Sequence, residues 1–225
     1  MSSIQFLAEP FDLGSHSLIA HLEAMMARAF AGTSYSLIEH GKAVGELSAQ
    51  IAEALDYPFA SIDGIDLFRL AGRFHDIGKV LVEEKVRLST QTFTPTDMVK
   101  MQAHPEFGAR ILEELGVSRF IVDAARYHHV RFSGGGYPRG FVSGNAIPFV
   151  ARVVAVADYF IARTETRLHR DGASPLAVWK DLLELRGDWF DPEVVDAFAR
   201  TTVFKNMLEG KPGRFVLKAP LKRSA

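Results

Sequence analysis

The sequence predicts an all-α fold, and three observations carry that expectation. Apolar residues recur at three- and four-residue intervals along most of the 225 positions. Prolines and threonines stand where helices would start, and glycines where they would stop. Period-two alternation of β-branched residues is scarce, and only Arg214-Phe215-Val216-Leu217 reads as a short strand.

Taken in order, Val44, Leu47, Ile51 and Leu55 mark one face of a helix, with His40 one turn earlier on that face. Ile65 to Ile77 reads as a second helix, with Leu67, Leu70, Ala71 and Phe74 inward and a stop near Gly78. Thr94-Pro95-Thr96-Asp97 is a helix start with Thr94 or Thr96 near the cap. Helices are expected over Glu106 to Leu115, stopped at Gly116, and over Val117 to His129. Gly134-Gly135-Gly136-Tyr137-Pro138 must be a loop. Pro148 opens an apolar helix running through Asp158, and Pro175 to Leu185 and Pro192 to Phe204 read as two more. The chain divides into an N-terminal helical extension (1–33), a catalytic domain (34–205) and a C-terminal tail (206–225).

Composition narrows the function classes. With 48% hydrophobic residues the chain can bury a core without staples, so any metal is expected to be catalytic. Cysteine is absent, which excludes disulfides, iron–sulfur clusters, thiolate zinc and cysteine nucleophiles. The net charge of −1, with no basic stripe, argues against a DNA or RNA polymer as partner. The start MSSIQFLAEPFDLG is not a signal peptide, and Ala146 to Ala162 is interrupted by Arg152 and Asp158. The expectation is a cytoplasmic protein without membrane insertion.

The chemistry lies in the histidines. His75 precedes Asp76 in FHDIGK, His128 and His129 are adjacent, and His40 and His104 stand near helix ends. Neighbouring side chains on a helix point about 100° apart. A His-Asp pair therefore serves one metal only at a bend, or lies between two. Asp158 sits in the otherwise apolar VVAVADYF and needs either a metal or a partner such as Arg152. Imidazole and carboxylate together suit iron, manganese, nickel, cobalt or zinc.

FHDIGK, AHPEFGARIL, the His128-His129 pair with GGGYP, and ARVVAVAD follow one another in the order of the HD-GYP family, which the chain resembles over residues 34 to 200. That family is a branch of the HD-domain metal-dependent phosphohydrolases, all-helical bundles with a glycine-rich GYP loop. The resemblance implies two divalent metals, iron foremost. It makes His40, His75, Asp76 and Asp158 ligands of one ion and His104, His128 and His129 ligands of the other, with Asp76 bridging. It places Lys79 on the scissile phosphate, Tyr137 beside a guanine, and Arg167 and Arg170 at the base edge or second phosphate. Lys79 could otherwise be a solvated helix-end cation, and the two arginines an ordinary charged helix end.

The implied reaction opens cyclic di-GMP to pGpG, and onward to GMP, through a hydroxide bridging ions ~3.5–4 Å apart. Val130 and Ser133 replace the family's glutamate and aspartate, and Leu168 its proline. These departures keep two alternatives open: a phosphohydrolase of another nucleotide or phosphate ester, and a non-catalytic cyclic di-GMP-binding module. Ser36 stands where members with three metals carry glutamate, so two ions are expected, with Glu39 a poor substitute. Regulation is expected from a homodimer or a signalling-protein partner.

Overall fold

The structure is a computed structural model that describes residues 16–33, 35–55, 62–89, 91–138, 142–166 and 171–210. Its helices are α1 (His16–Ala29), α2 (Leu37–Ala54), α3 (Ile62–Phe74), α4 (Glu84–Arg87), α5 (Pro95–Met101), α6 (His104–Glu114), α7 (Arg119–Tyr127), α8 (Phe149–Thr164), α9 (Pro175–Glu184), α10 (Pro192–Phe198) and α11 (Thr202–Leu208). Short 3-10 helices cover Ile77–Leu81 and Gly144–Ala146. Among the described residues there is no β-strand, only isolated bridges such as Val130 with Gly136.

Helix α8 runs through the middle, touching α2, α3, α7, α9 and α10. Its Val150, Val153, Val154, Ala157, Phe160 and Ile161 are all buried. On α2 the apolar face read from the sequence packs inward, with Val44, Leu47 and Ile51 out of solvent. Each such side chain contributes roughly 1.5–3 kcal/mol relative to exposure. Helix α1 adds Leu18, Leu22 and Met26 to the same core.

Two close backbone approaches set the frame for the chemistry. A Cβ on Gly72 would meet Gly45 Cα at 2.6 Å, so α2 and α3 touch backbone to backbone. That contact brings His40, near the start of α2, beside the end of α3. A Cβ on Gly78 would meet the His104 carbonyl oxygen at 2.0 Å, so the 3-10 turn after Asp76 presses against the start of α6.

Several boundaries differ from expectation for identifiable reasons. The second helix stops at Phe74 rather than near Gly78, because His75 and Asp76 form a turn leading into the 3-10 helix. The segment expected as one helix from Pro192 to Phe204 is two. Thr201 breaks it: its hydroxyl donates to the Phe198 carbonyl at 2.8 Å and accepts from the Phe204 N–H at 3.2 Å, capping α11. Arg200 in the break donates to the Ala54 carbonyl at 2.7 Å, capping the end of α2. Thr94, not Thr96, caps α5, in a reciprocal box with Asp97. The strand expected at Arg214 to Leu217 lies outside the described residues.

Candidate metal centre

Three of the inward histidines share one local cause for their orientation. His75 follows the end of α3, His104 follows α5, and His128 follows α7. The last carbonyls of a helix have no intrahelical donor, and these imidazoles supply one. His75 Nδ1 bonds Gly72 O at 2.7 Å, His104 Nδ1 bonds Met101 O at 2.8 Å, and His128 Nδ1 bonds Ala125 O at 3.0 Å. A carbonyl only accepts, so each Nδ1 carries the proton and each Nε2 is left facing inward.

Those Nε2 atoms converge on Asp76. One carboxylate oxygen, Oδ2, is 3.3 Å from His75 Nε2 and 3.8 Å from His40 Nε2. The other, Oδ1, is 3.0 Å from His104 Nε2 and 3.8 Å from His128 Nε2. Asp158 Oδ1 joins the first group, 3.1 Å from His40 Nε2 and 3.6 Å from His75 Nε2. His129 belongs with Asp76, His104 and His128, their ligand-type atoms all lying within 4.8 Å of one another. All seven residues expected as ligands thus meet in one place, in two groups joined by Asp76.

Lys79 pairs directly with Asp76 Oδ2 and is largely shielded, which is not the environment of a solvated helix-end cation. Tyr137 stacks on His129 with ring centroids 4.5 Å apart. Arg167 and Arg170 lie outside the described residues. Arg152 does not neutralise Asp158; it binds Asp191, the Asn145 side chain and the Ile147 carbonyl. Glu39 points to the surface and pairs with Lys42 at 3.0 Å, while Ser36 caps α2. Neither offers a third ion a carboxylate. A further buried acid reaches the centre: Glu165, at the end of α8, whose Oε1 is 2.9 Å from His40 Nδ1. Nothing in the local sequence Thr164-Glu165-Thr166 signals it, since its partner is 125 positions away.

The electrostatics divide the two groups. Burial opposes a charged His75, but the Asp76 and Asp158 carboxylates prevail and raise it to about 10. His40 also rises despite burial, through hydrogen bonds to Asp158 and Glu165. Burial likewise opposes ionisation of Asp76, yet the Lys79 ammonium and His75 hold it well below the carboxylate range. The hydrogen bond from His40 and the nearby His75 imidazole hold Asp158 down in the same way, against burial. On the other side, burial and neighbouring imidazoles push His128 far down and His129 to about 3. His128 and His129 are thereby kept neutral, as imidazole ligands must be.

The donor set fits divalent cations on structural grounds. His75 Nε2 and Asp76 Oδ1 are buried without a hydrogen-bond partner, the close His104 approach lacking hydrogen-bond geometry. Orphaned buried atoms of this kind are costly unless something binds them. Imidazole and carboxylate without thiolate is a borderline-hard set suited to first-row metals.

A cleft of ≈ 390 Å³ opens beside this centre, reaching His128, His129 and Asp158. Its walls include Tyr137, Tyr159, Trp189 and Phe190, with Arg131 and Arg163 among them. The Arg131 guanidinium lies over Trp189, 4.1 Å from the ring centroid. Ser133 Oγ donates to Asp188 Oδ1 at 2.5 Å, and Val130 is buried against Ile147 and Ala151.

This helical frame with a shared histidine–aspartate centre is that of an HD-domain protein. The HD-domain family profile matches residues 24–194. The chain is 37% identical over 143 residues to the cyclic di-GMP phosphodiesterase response regulator RpfG of Xanthomonas campestris, covering 62% of this chain and 37% of that protein. It is 32% identical to a cyclic di-GMP phosphodiesterase of Thermotoga maritima, covering 72% of this chain and 43% of that one. Among solved structures it resembles the HDG"Y"P protein Bd1817 of Bdellovibrio bacteriovorus, with a TM-score of 0.58 at 18% identity over 73% of this chain and 51% of that one. The chain belongs to the HD-domain family, in its HD-GYP branch. It spans about two fifths of the length of the curated relatives it matches.

Proposed function

We propose that the protein is a metal-dependent phosphodiesterase that hydrolyses cyclic di-GMP to pGpG and then to GMP. The observation that carries this reading is Asp76, each of whose oxygens faces a different histidine group. His40, His75 and Asp158 would complete one ion's shell, and His104, His128 and His129 the other's. Iron is the first choice of metal, with manganese, nickel, cobalt and zinc compatible. When bound, the two cations supply Lewis acidity to the phosphodiester and acidify an attacking water.

The chain's own residues do the rest. Lys79 provides a cation at the centre that stabilises charge on a non-bridging phosphate oxygen. Asp76 positions Lys79 and is kept ionised by it. The aromatic walls of the cleft suit stacking of a nucleobase, and Arg131 and Arg163 suit its edge or a second phosphate. Tyr137 forms the wall nearest the histidines, consistent with contact to a guanine. Arg167 and Arg170 are assigned to the same end of the substrate by family resemblance alone. The reading includes an N-terminal helical extension (1–33) before the catalytic domain (34–205), and a cytoplasmic setting. Among the described residues no helix is long and apolar enough to cross a membrane.

Anaerobically purified protein loaded with iron or manganese is expected to convert cyclic di-GMP to pGpG. Absence of product with two ions bound would reject the reading. A second reading, hydrolysis of another nucleotide or phosphate ester, draws on Val130 and Ser133. Both stand where the family carries acids, and both are absorbed into local packing or hydrogen bonding. Preference for another substrate in a panel of cyclic and linear nucleotides would favour it. Tight binding of the dinucleotide without turnover would favour a receptor.

A further inference from the structure

We propose that Glu165 is a positioning residue that sets the tautomer and orientation of His40 for the metal centre; this rests on the metal-centre reading above. Of the four histidines of the centre whose Nδ1 bonds are described, three use backbone carbonyls at helix ends. His40 has no such resource. It lies near the start of α2, where the carbonyls one turn back are engaged by the helix itself: Ser36 O already accepts from the His40 N–H at 3.1 Å. Its Nδ1 instead meets Glu165 Oε1 at 2.9 Å.

The carboxylate is placed there by the end of α8. Glu165 is the C-cap residue of that helix, with its N–H still bonded to Ile161 O at 2.9 Å and its backbone already extended. The same helix carries Asp158 on the metal side of His40, so α8 grips both ring nitrogens of one imidazole. The Glu165 side chain is only 4% exposed. An ionised carboxylate accepts and does not donate. It therefore holds the proton on Nδ1 and leaves the Nε2 lone pair for an ion, as such outer carboxylates do in metal sites.

The test uses two full-length variants. E165Q keeps an oxygen that accepts from Nδ1, and E165L keeps the buried volume without one. Apoprotein of each is titrated with Mn(II) or Zn(II) against a competing chromophoric chelator. E165L is expected to lose roughly 10–100-fold in affinity at one of two sites, with the other site unchanged. E165Q should stay close to wild type. Wild-type affinity at both sites in E165L, or equal weakness in E165Q and E165L, would overturn the proposal. If E165L does not fold by circular dichroism, the nitrogen-15 spectrum of wild-type zinc-loaded protein decides. A proton on His40 Nδ1 with zinc at Nε2 supports the role, and zinc at Nδ1 overturns it. Failure of the wild type itself to bind metal would sink the metal-centre reading instead.

Discussion

At the scale of single residues, Asp76 and Lys79 separate holding a metal from using it. Asp76→Asn removes the charge that both histidine groups face, and is expected to leave fewer than two ions per chain by elemental analysis. Lys79→Ala should keep the metal content but lower turnover by about 10²–10³-fold, the usual cost of losing one charge-stabilising group. Proton linkage follows from His75, which burial would lower but which Asp76 and Asp158 hold near 10. Its folded value exceeds the ordinary one of 6.5. The stability from this pair is thus full below that ordinary value and is lost as pH rises through about 10. An ion must displace that proton, so binding at neutral pH should release protons into solution. Titration calorimetry in two buffers of different ionisation enthalpy reads this directly. Equal heats in both would contradict it.

At the scale of elements, the α2–α3 contact decides whether His40 reaches the centre. Gly72→Ala drives a methyl into Gly45 Cα, where backbone meets backbone and no side chain can yield. It is expected to destabilise the fold by roughly 1–3 kcal/mol or more, read as a lowered urea midpoint, and to weaken metal binding with it. This contact was not legible in the sequence, because a helical glycine looks the same whether it is packed or merely tolerated. The α2 face was legible, since Val44, Leu47 and Ile51 repeat at the helical period and all are buried. The split of Pro192 to Phe204 was not. The Thr201 cap and the reach of Arg200 to Ala54 depend on tertiary placement that periodicity does not encode.

At the scale of the whole molecule, helices far apart in the chain contribute to one centre, so metal binding and folding are coupled. Anything bound only by the folded state stabilises it. Metal-loaded protein should therefore melt higher than chelator-treated protein, by an increment that grows with free metal concentration; an unchanged Tm would contradict this. Six of the seven centre residues were legible because each sits in a short segment with its own pattern: FHDIGK, AHPEF, the paired histidines, VVAVAD. His40 was legible only from its place on the α2 face and from the family resemblance. Glu165 was not, for its place follows from where α8 ends against α2. The same scale explains the departures from the family pattern. Val130 fills a small apolar cluster with Ile147 and Ala151, and Ser133 ties its loop to Asp188, so the loop beside the cleft is held without either acid. The most direct test of the central claim is elemental analysis of anaerobically prepared wild-type protein. A shared Asp76 between two histidine groups predicts two ions per chain; one ion, or none, would contradict it.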